Sequence, residues 1–152
     1  MGNKGFTILE ILLALFILTL AVTVVTFSFS KLNSKHALDK SATLVVSILD
    51  EARSLTLSSK DNSQYGVHFE DSRLVLFKGP TYSTSDVSNI ATELNFLVGL
   101  RVITLSGGGT SVVFKRLTGS TDQAGTLELF LKATPETFRT VTVSSTGIIE
   151  SE

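Results

Sequence analysis

A long apolar segment near the N-terminus constrains this chain more than any other feature. Between Phe6 and Ser30 the only ionisable side chain is that of Glu10. A helix over these residues rises roughly 37 Å at ~1.5 Å per residue. Because the hydrocarbon core of a bilayer is about 30 Å thick, such a helix is long enough to cross it. We therefore predict a transmembrane helix over residues 6–30.

The position of Glu10 distinguishes this segment from simpler apolar segments. A secretory signal peptide has an apolar core of about 7–15 residues and then a small-residue cleavage site, a pattern that is not found here. An ordinary anchor carries charges at its ends, as Lys4 and Lys31 do, but needs no carboxylate one turn inside the apolar region. A carboxylate at that depth is costly unless it has a partner, so Glu10 is a candidate functional residue.

The stretch Gly5–Glu10 reads Gly-Phe-Thr-Ile-Leu-Glu, follows a short basic leader and precedes the apolar run. In this it resembles the processing site of type IV prepilins and type II secretion pseudoprepilins. The resemblance implies that a membrane prepilin peptidase cleaves between Gly5 and Phe6 and that Phe6 is then N-methylated. It also implies that Glu10 pairs with the amine of Phe6 on a neighbouring subunit. Breaking a buried ion pair is strongly unfavourable, so this pair would set the subunit register.

Composition limits the other possibilities. The 152 residues are 43% hydrophobic and 18% charged, which suits one domain plus a membrane segment. The formal net charge of −1 gives no overall basic bias towards nucleic acid. The absence of cysteine excludes disulfides, thiol catalysis and thiolate metal sites. Because Lys4 lies on the leader side, the positive-inside rule predicts a single-pass protein of the inner (cytoplasmic) membrane, with its C-terminal part in the periplasm or outside the cell.

The pattern after the apolar run predicts that the helix continues. From Lys31 to about Ser59 no Gly or Pro interrupts the chain, and apolar residues recur at spacings of four and three. This spacing forms one face of an amphipathic helix, made by Leu38, Ala42, Val45, Leu49 and Ala52. We therefore expect one continuous helix of ~50 residues. Its two parts are the membrane segment 6–30 and the amphipathic continuation 31–59.

The remaining residues, 60–152, read as a β-rich head. Two alternating stretches, 65–69 and 73–77, flank a short turn and indicate a hairpin. Further strands are expected at 94–97, 101–105, 111–117, 126–132 and 138–144, with a short final strand after Gly147, while residues 81–92 form a polar loop. A long helix followed by many short strands predicts an α+β fold, in which the helix packs on an antiparallel β-sheet or β-sandwich.

A second resemblance covers nearly the whole chain after the leader. The order of its motifs is similar to that of the H-type minor pseudopilins, the GspH/FimT family; the motifs are Glu51–Ser58, Gly66–Phe69, Phe77–Gly79, Gly125–Leu129 and Val141–Ile149. The resemblance implies a pilin-like fold and a minor subunit of a type II secretion pseudopilus. Its implied partners are other pseudopilins in a helical filament, the prepilin peptidase, an inner-membrane assembly platform and membrane lipid. The alternative is a FimT-like minor pilin of a type IV pilus, which assembles pili and can act in DNA uptake.

Direct binding of DNA is not favoured by the charges of the head. DNA-binding members of the family carry a basic Gly-Arg-x-Arg motif near the C-terminus, where this chain reads Gly-Ile-Ile-Glu from Gly147. Phosphate contacts need clustered cations, and Lys115 and Arg116 are the only adjacent basic pair of residues 60–152. The pair is a weak nucleic-acid candidate; its other interpretation is a solvated strand end or turn.

Catalysis and metal binding also lack a convincing pattern. The two histidines, His36 and His68, have no matched acidic cluster that would complete a metal site. The run Gly107–Gly109 lacks the Lys-Ser/Thr ending of a phosphate-binding loop and is interpreted as a turn. We therefore expect no enzyme activity, no catalytic residue and no cofactor.

Overall fold

The computed structural model describes Gly5 and residues 7–152, apart from the side chains of residues 24–31, 102 and 103. The predicted leader residues 1–4 and the predicted methylation site Phe6 therefore lie outside the described residues. Among the residues that are described, no helix carries an apolar stretch long enough to span a bilayer. The chain divides into two compact units, one ending at Lys35 and one comprising His36–Glu152.

One long helix and eight strands make up the described chain. Helix α1 extends over Ile8–Leu57 and is followed by a 3-10 turn at Lys60–Asn62. The strands are β1 (Tyr65–Phe69), β2 (Arg73–Lys78), β3 (Ile90–Glu93), β4 (Val98–Leu105), β5 (Ser111–Val113), β6 (Gly125–Leu131), β7 (Thr134–Val143) and β8 (Ile149–Ser151). The expectation of an α+β fold with a long N-terminal helix is confirmed.

The strands form two antiparallel sheets of four strands each. The first sheet has the order β3-β2-β1-β5, and the second has the order β4-β6-β7-β8. In the first sheet the hairpin predicted from the alternating pattern is present, with Val67 opposite Leu76. Alternate side chains from both sheets reach a common core. On the opposite face of the first sheet, Val75 and Phe77 of β2 are buried as well.

The core of the second unit is built on one face of α1. Leu38, Val45, Leu49 and Ala52 are almost fully buried there, and Ala42 is 4% exposed. This confirms the apolar face predicted from the spacing of four and three residues. The strands supply the other side of the core through residues that include Val67, Phe69, Leu74, Leu100, Val112, Phe114, Leu127, Leu129 and Val141.

A buried hydroxyl joins the end of α1 to the first strand. Thr56 donates a hydrogen bond to the carbonyl oxygen of Ala52 (2.8 Å) and accepts one from the backbone N–H of Tyr65 (2.9 Å). Thr56 is fully buried, so without its hydroxyl the Tyr65 N–H would lack a partner. The chain reverses between these residues through Ser59 and Asp61, which both have positive φ. The contact thereby fixes where β1 begins.

The prediction of a strand at 94–97 is wrong, and the strand lies four residues earlier. Ile90–Glu93 forms β3, whose first three residues lie in the stretch predicted to be a polar loop. The following residues turn because the Asn95 side-chain oxygen accepts a hydrogen bond from the Leu97 N–H (3.0 Å) and the Asn95 carbonyl accepts one from the Val98 N–H (2.8 Å). An asparagine that bonds to its own backbone in this way favours a turn over a strand.

Three other boundaries differ from the prediction by three residues or more, and the first is that of β4, which starts at Val98 instead of residue 101. The strand expected over 111–117 ends at Val113, because the chain then enters a tight turn. In this turn the Lys115 N–H donates to the Ser120 carbonyl, and the Lys115 carbonyl accepts the N–H of Gly119. The strand expected over 138–144 starts four residues earlier, since β7 begins at Thr134. Pro135 is tolerated there because it lies near the start of the strand, within an irregularity in the pairing of β6 with β7.

Candidate functional site

The predicted processing junction is described in part. Gly5 is exposed, and a Cβ added to it would meet no atom within 4 Å. Five residues later, Glu10 lies in the first turn of α1 and is also exposed in this single chain. Among the described residues, no group forms a hydrogen bond or ion pair with the Glu10 carboxylate. Its expected pairing with a neighbouring subunit stays a prediction.

Sequence reasoning overlooked the role of Thr7 in starting the helix. The Thr7 hydroxyl oxygen accepts a hydrogen bond from the backbone N–H of Glu10 at 3.2 Å, and the Thr7 carbonyl accepts the N–H of Ile11 at the same distance. Threonine followed three residues later by glutamate is the sequence signature of a capping box. That signature was visible in the sequence, and it gives the Thr7–Glu10 stretch a local structural role in addition to any role in processing.

The adjacent cations Lys115 and Arg116 each have a partner within the chain. The Lys115 ammonium forms an ion pair with Asp122 at 2.6 Å. The Arg116 guanidinium donates to the side-chain oxygen of Asn62 (2.6 Å) and to its backbone oxygen (3.1 Å). The two cations therefore stabilise the 115–120 turn, which agrees with the interpretation of the pair as part of a strand end or turn. Phosphate contacts through them would have to replace these bonds.

The C-terminal turn around Gly147 packs against the same region. The Arg53 side chain donates its Nε–H to the carbonyl oxygen of Gly119 at 3.2 Å. Gly147 has a φ of +82°, and a Cβ at this position would overlap the Gly119 carbonyl oxygen. The two positions that would be arginine in a Gly-Arg-x-Arg motif are the exposed Ile148 and Glu150, and they follow a tightly packed glycine.

An open pocket of about 370 Å³ lies on the outer side of the first sheet, around His68. The His68 ring stacks on Tyr82, with centroids 3.9 Å apart, and its Nδ1 shares a hydrogen bond of 2.8 Å with the Ser111 hydroxyl. Nucleophilic catalysis by such a pair requires a third group that orients the base. Among the described residues, no hydrogen bond reaches the other ring nitrogen, and no three His, Asp or Glu side chains are grouped to hold a metal.

Burial of the His68 ring predicts an acid-sensitive contribution to stability. Desolvation lowers the pKa of His68 below its usual value of 6.5, Glu70 opposes that shift and Arg73 adds to it. The folded state then binds fewer protons than the unfolded state, so this contribution is complete above pH 6.5 and is lost as the pH falls through 6.5 towards the lower folded pKa. We expect chemical-denaturation curves of a His68→Gln variant to have a flatter pH dependence between about pH 7.5 and 5 than those of the unchanged chain.

A matched variant separates this effect from general acid sensitivity. His36 is exposed on α1 and does not line the pocket around His68. A His36→Gln chain should therefore keep the pH slope of the unchanged protein. If both variants lose the same slope, His68 is not its source.

Comparison with known proteins shows which solved structures have a similar fold. Neither a family model nor a curated protein sequence matches the chain. Solved structures do match. The type IV minor pilin FimU of Pseudomonas aeruginosa is 16% identical, with a TM-score of 0.57 over 76% of this chain and 92% of that one. The minor pseudopilin EpsH from the type 2 secretion system of Vibrio cholerae is 18% identical, with a TM-score of 0.57 over 76% of this chain and 95% of that one.

A second crystal structure of EpsH gives the same result. It is 19% identical, with a TM-score of 0.58 over 77% of this chain and 94% of that one. At these identities the likeness is one of fold, and it covers nearly the whole of each similar chain. The long helix and the antiparallel sheets thus have their counterparts in pilins and pseudopilins alike. The chain has the pilin-like α+β fold of minor pseudopilins and type IV minor pilins.

Proposed function

We propose that this chain is a minor pseudopilin of a type II secretion system, which acts in protein secretion by assembling into a filament. The observation that carries the proposal is the combination of two independent features in one chain. The Gly5–Glu10 stretch resembles a prepilin processing site, and residues downstream of it have the fold of a known minor pseudopilin. Neither feature alone would distinguish such a subunit from an ordinary anchored domain.

In this proposal the N-terminal segment has three successive roles. Residues 1–5 direct the precursor to the prepilin peptidase, which cleaves between Gly5 and Phe6, and Phe6 is then methylated. Residues 6–30 hold the subunit in the inner membrane and later form the filament core. Addition of subunits in one direction is a heterologous contact, which propagates along a filament instead of closing into a ring.

The part after the anchor, residues 31–152, supplies the specific contacts. Its amphipathic helix segment 31–59 and its head, 60–152, would lie in the periplasm. An inner-membrane platform driven by a cytoplasmic ATPase would extract the subunit from the bilayer. The proposal assigns the chain a structural role and no catalytic one.

A minor pilin of a type IV pilus is the second candidate, since FimU has the same fold at an equal TM-score. The two candidates share processing, anchoring and assembly. They differ in the machine into which the subunit is incorporated. Co-purification of the tagged full-length chain with secretion or pilus components of its own cells distinguishes them, because each machine contributes different major subunits.

The intact mass and N-terminal residue of the protein test the proposal directly. The chain should be extracted from membranes of cells that contain a prepilin peptidase. We expect a mature chain that begins with N-methylated Phe6. A chain that still begins with Met1 or Gly2 would contradict the proposal and leave an anchored α+β domain.

Loss of the Glu10 charge is expected to impair assembly without impairing processing. In a filament the Glu10 carboxylate would face the amine of Phe6 on the next subunit, and removal of one partner leaves the other charge buried and unpaired. We expect Glu10→Val and Glu10→Gln chains to be inserted and cleaved normally, while their incorporation into sheared filaments falls at least about tenfold.

Thr19→Val is the matched control for this prediction. Thr19 lies on the same apolar segment, and its hydroxyl bonds only to the backbone carbonyl of Phe16 at 2.8 Å. This variant should assemble as the unchanged chain does. Normal filament incorporation of both Glu10 variants would remove the charge pair from the mechanism.

A further inference from the structure

Strand β3 is an edge of the first sheet with outward-facing backbone groups. The Leu94 N–H donates to the Ser72 carbonyl at 2.9 Å, just beyond the pairing of Glu93 with Arg73. Antiparallel ladders alternate, so the N–H and C=O groups of Ala91 and Glu93 must point away from β2. In the described part of the chain the backbone of β3 bonds to β2 alone. Four polar backbone groups therefore face outward at this edge.

The other three sheet edges are protected by the chain itself. At β5 the edge N–H of Val113 donates to the Gln123 side chain at 3.2 Å. At β4 the Leu100 N–H donates to the Asp71 carbonyl at 3.0 Å, and the strand contains an irregularity. Strand β8 has only three residues and carries the charge of Glu150. These are the usual means of blocking unwanted strand pairing. β3 is also short and carries the charge of Glu93, but it contains neither a proline nor a bulge, and no described segment bonds to its outer edge.

Two hollows flank this open edge, and both have α1 as their second wall. The hollow at the start of β3 measures about 210 Å³ and is lined by apolar side chains that include Leu55, Leu76 and Ile90. The hollow at its end measures about 260 Å³ and is lined in part by Leu44 and Leu94. Leu44 and Leu55 are only half-buried, and Ile90 is 59% exposed. The first sheet thus leaves one flank of α1 incompletely covered.

The spacing of the hollows fits a strand laid beside β3. At about 3.3 Å per residue, the four residues of β3 span roughly 10–13 Å. Because one hollow lies at each end of β3, an added strand would reach both hollows with side chains about four positions apart. Ile90 lies opposite Leu76, whose side chain is in the core, and so faces α1. Side chains at alternate positions of an added strand would face α1 in the same way, because cross-strand neighbours share a face.

The lining of the two hollows favours an uncharged occupant. Lys40 and Glu93 line one hollow, and Glu51 and Lys60 line the other. None of these four side chains belongs to an ion pair among the described residues. The second hollow is also lined by Asp61 and Lys78, which pair with each other at 3.3 Å, so each hollow offers equal numbers of cations and anions. The opposite signs cancel for a segment of either net charge, while the apolar lining of each hollow favours uncharged side chains.

We propose that the β3 edge is a docking site for an extended, neutral segment of a partner protein. The segment would add to the first sheet as a fifth strand, with apolar side chains at alternate positions in the two hollows. Main-chain hydrogen bonds to Ala91 and Glu93 would supply affinity, and the hollows would select the side chains. The proposal rests on the unit His36–Glu152 alone and does not depend on which machine contains the chain.

A synthetic strand tests the proposal on the full-length chain in detergent micelles. The probe is a fluorescently labelled, amidated eight-residue peptide of alternating valine and threonine, and fluorescence anisotropy measures its binding. We expect saturable binding that weakens at least about tenfold in an Ala91→Pro variant, because proline removes one outward N–H and blocks the edge. An Ala91→Ser variant keeps that N–H and should bind as the unchanged chain does.

Two further measurements keep the test decisive if Ala91→Pro disturbs folding. The same peptide with every backbone nitrogen methylated offers no N–H from either edge, so it cannot complete the ladder and the unchanged chain should not bind it. In hydrogen exchange, the amides of Ala91 and Glu93 should exchange quickly in the free chain and become protected by the unmodified peptide. The proposal is overturned if the unmodified peptide does not bind, if the methylated peptide binds equally well, or if these amides are already protected.

Discussion

A Gly5→Asp precursor is expected to remain unprocessed. Glycine at the predicted scissile junction lets another backbone approach closely, and a charged side chain there would occupy the space that the peptidase needs. In this chain Gly5 is exposed and nothing surrounds the position of its Cβ, so the substitution should not disturb the fold. We expect mature protein to fall below detection in mass spectra of membrane extracts, and incorporation into filaments to be abolished.

Asn3→Asp is the matched control for the Gly5 variant. It adds the same negative charge two residues earlier, inside the leader and away from the junction. The control should be cleaved to the same mature mass as the unchanged chain. Normal maturation of the Gly5→Asp chain would refute cleavage after Gly5, whereas failure of both variants would indicate a general effect of leader charge.

A Gly147→Val variant is expected to destabilise the head strongly. Gly147 has a φ of +82°, a conformation that is strained for a β-branched residue, and its added Cβ would overlap the Gly119 carbonyl and lie 2.9 Å from Arg53 Nε. The turn cannot relax easily, because the Gly147 N–H donates to the Ser144 carbonyl at 2.9 Å. We expect the free energy of unfolding, measured by urea denaturation in detergent, to fall by about 3 kcal/mol.

Ile148→Val provides the comparison at the neighbouring position. Ile148 is 53% exposed, and substitutions at such positions usually change stability by less than about 0.5 kcal/mol. A midpoint of unfolding that is the same for Gly147→Val and Ile148→Val would show that the turn adapts to a side chain. The contact between the C-terminal turn and Gly119 would then contribute little to the head.

The same contact bears on the assignment of DNA binding. The position after Gly147 is exposed, so an Arg side chain there would be accessible, but this chain has Ile148 at that position. Lys115 and Arg116 lie in the turn that precedes Gly119, and their charges are paired with Asp122 and bonded to Asn62. In this protein the region works as a packed junction between the end of α1 and two turns.

Several elements could be read from local patterns. The apolar face of α1 follows from residues three and four positions apart, and the β1–β2 hairpin follows from alternation around a short turn. Both signals arise within a few residues, so no distant contact is needed to produce them. The capping signature of Thr7 and Glu10 is also local, since it joins residues only three positions apart.

Other features depend on partners far along the chain. Strand β3 is short and mostly exposed, so its own residues give little indication of a strand. It is a strand because it pairs with Leu74 and Leu76 of β2. The 94–97 stretch looked more apolar than β3, yet the Asn95 side chain turns it. Tertiary pairing overrode local propensity in both cases, as is common for strands.

By itself the sequence determined the long helix, its buried face, the α+β class and the candidate junction at Gly5, because each depends on spacing or order along a short stretch. Only the tertiary structure decided that the strands divide into two sheets, that His68 stacks on Tyr82, and that β3 is left as an open edge beside α1. The physical reason is that strand pairing and ring stacking join residues many positions apart, and their free energy depends on the surroundings that all the other elements create together.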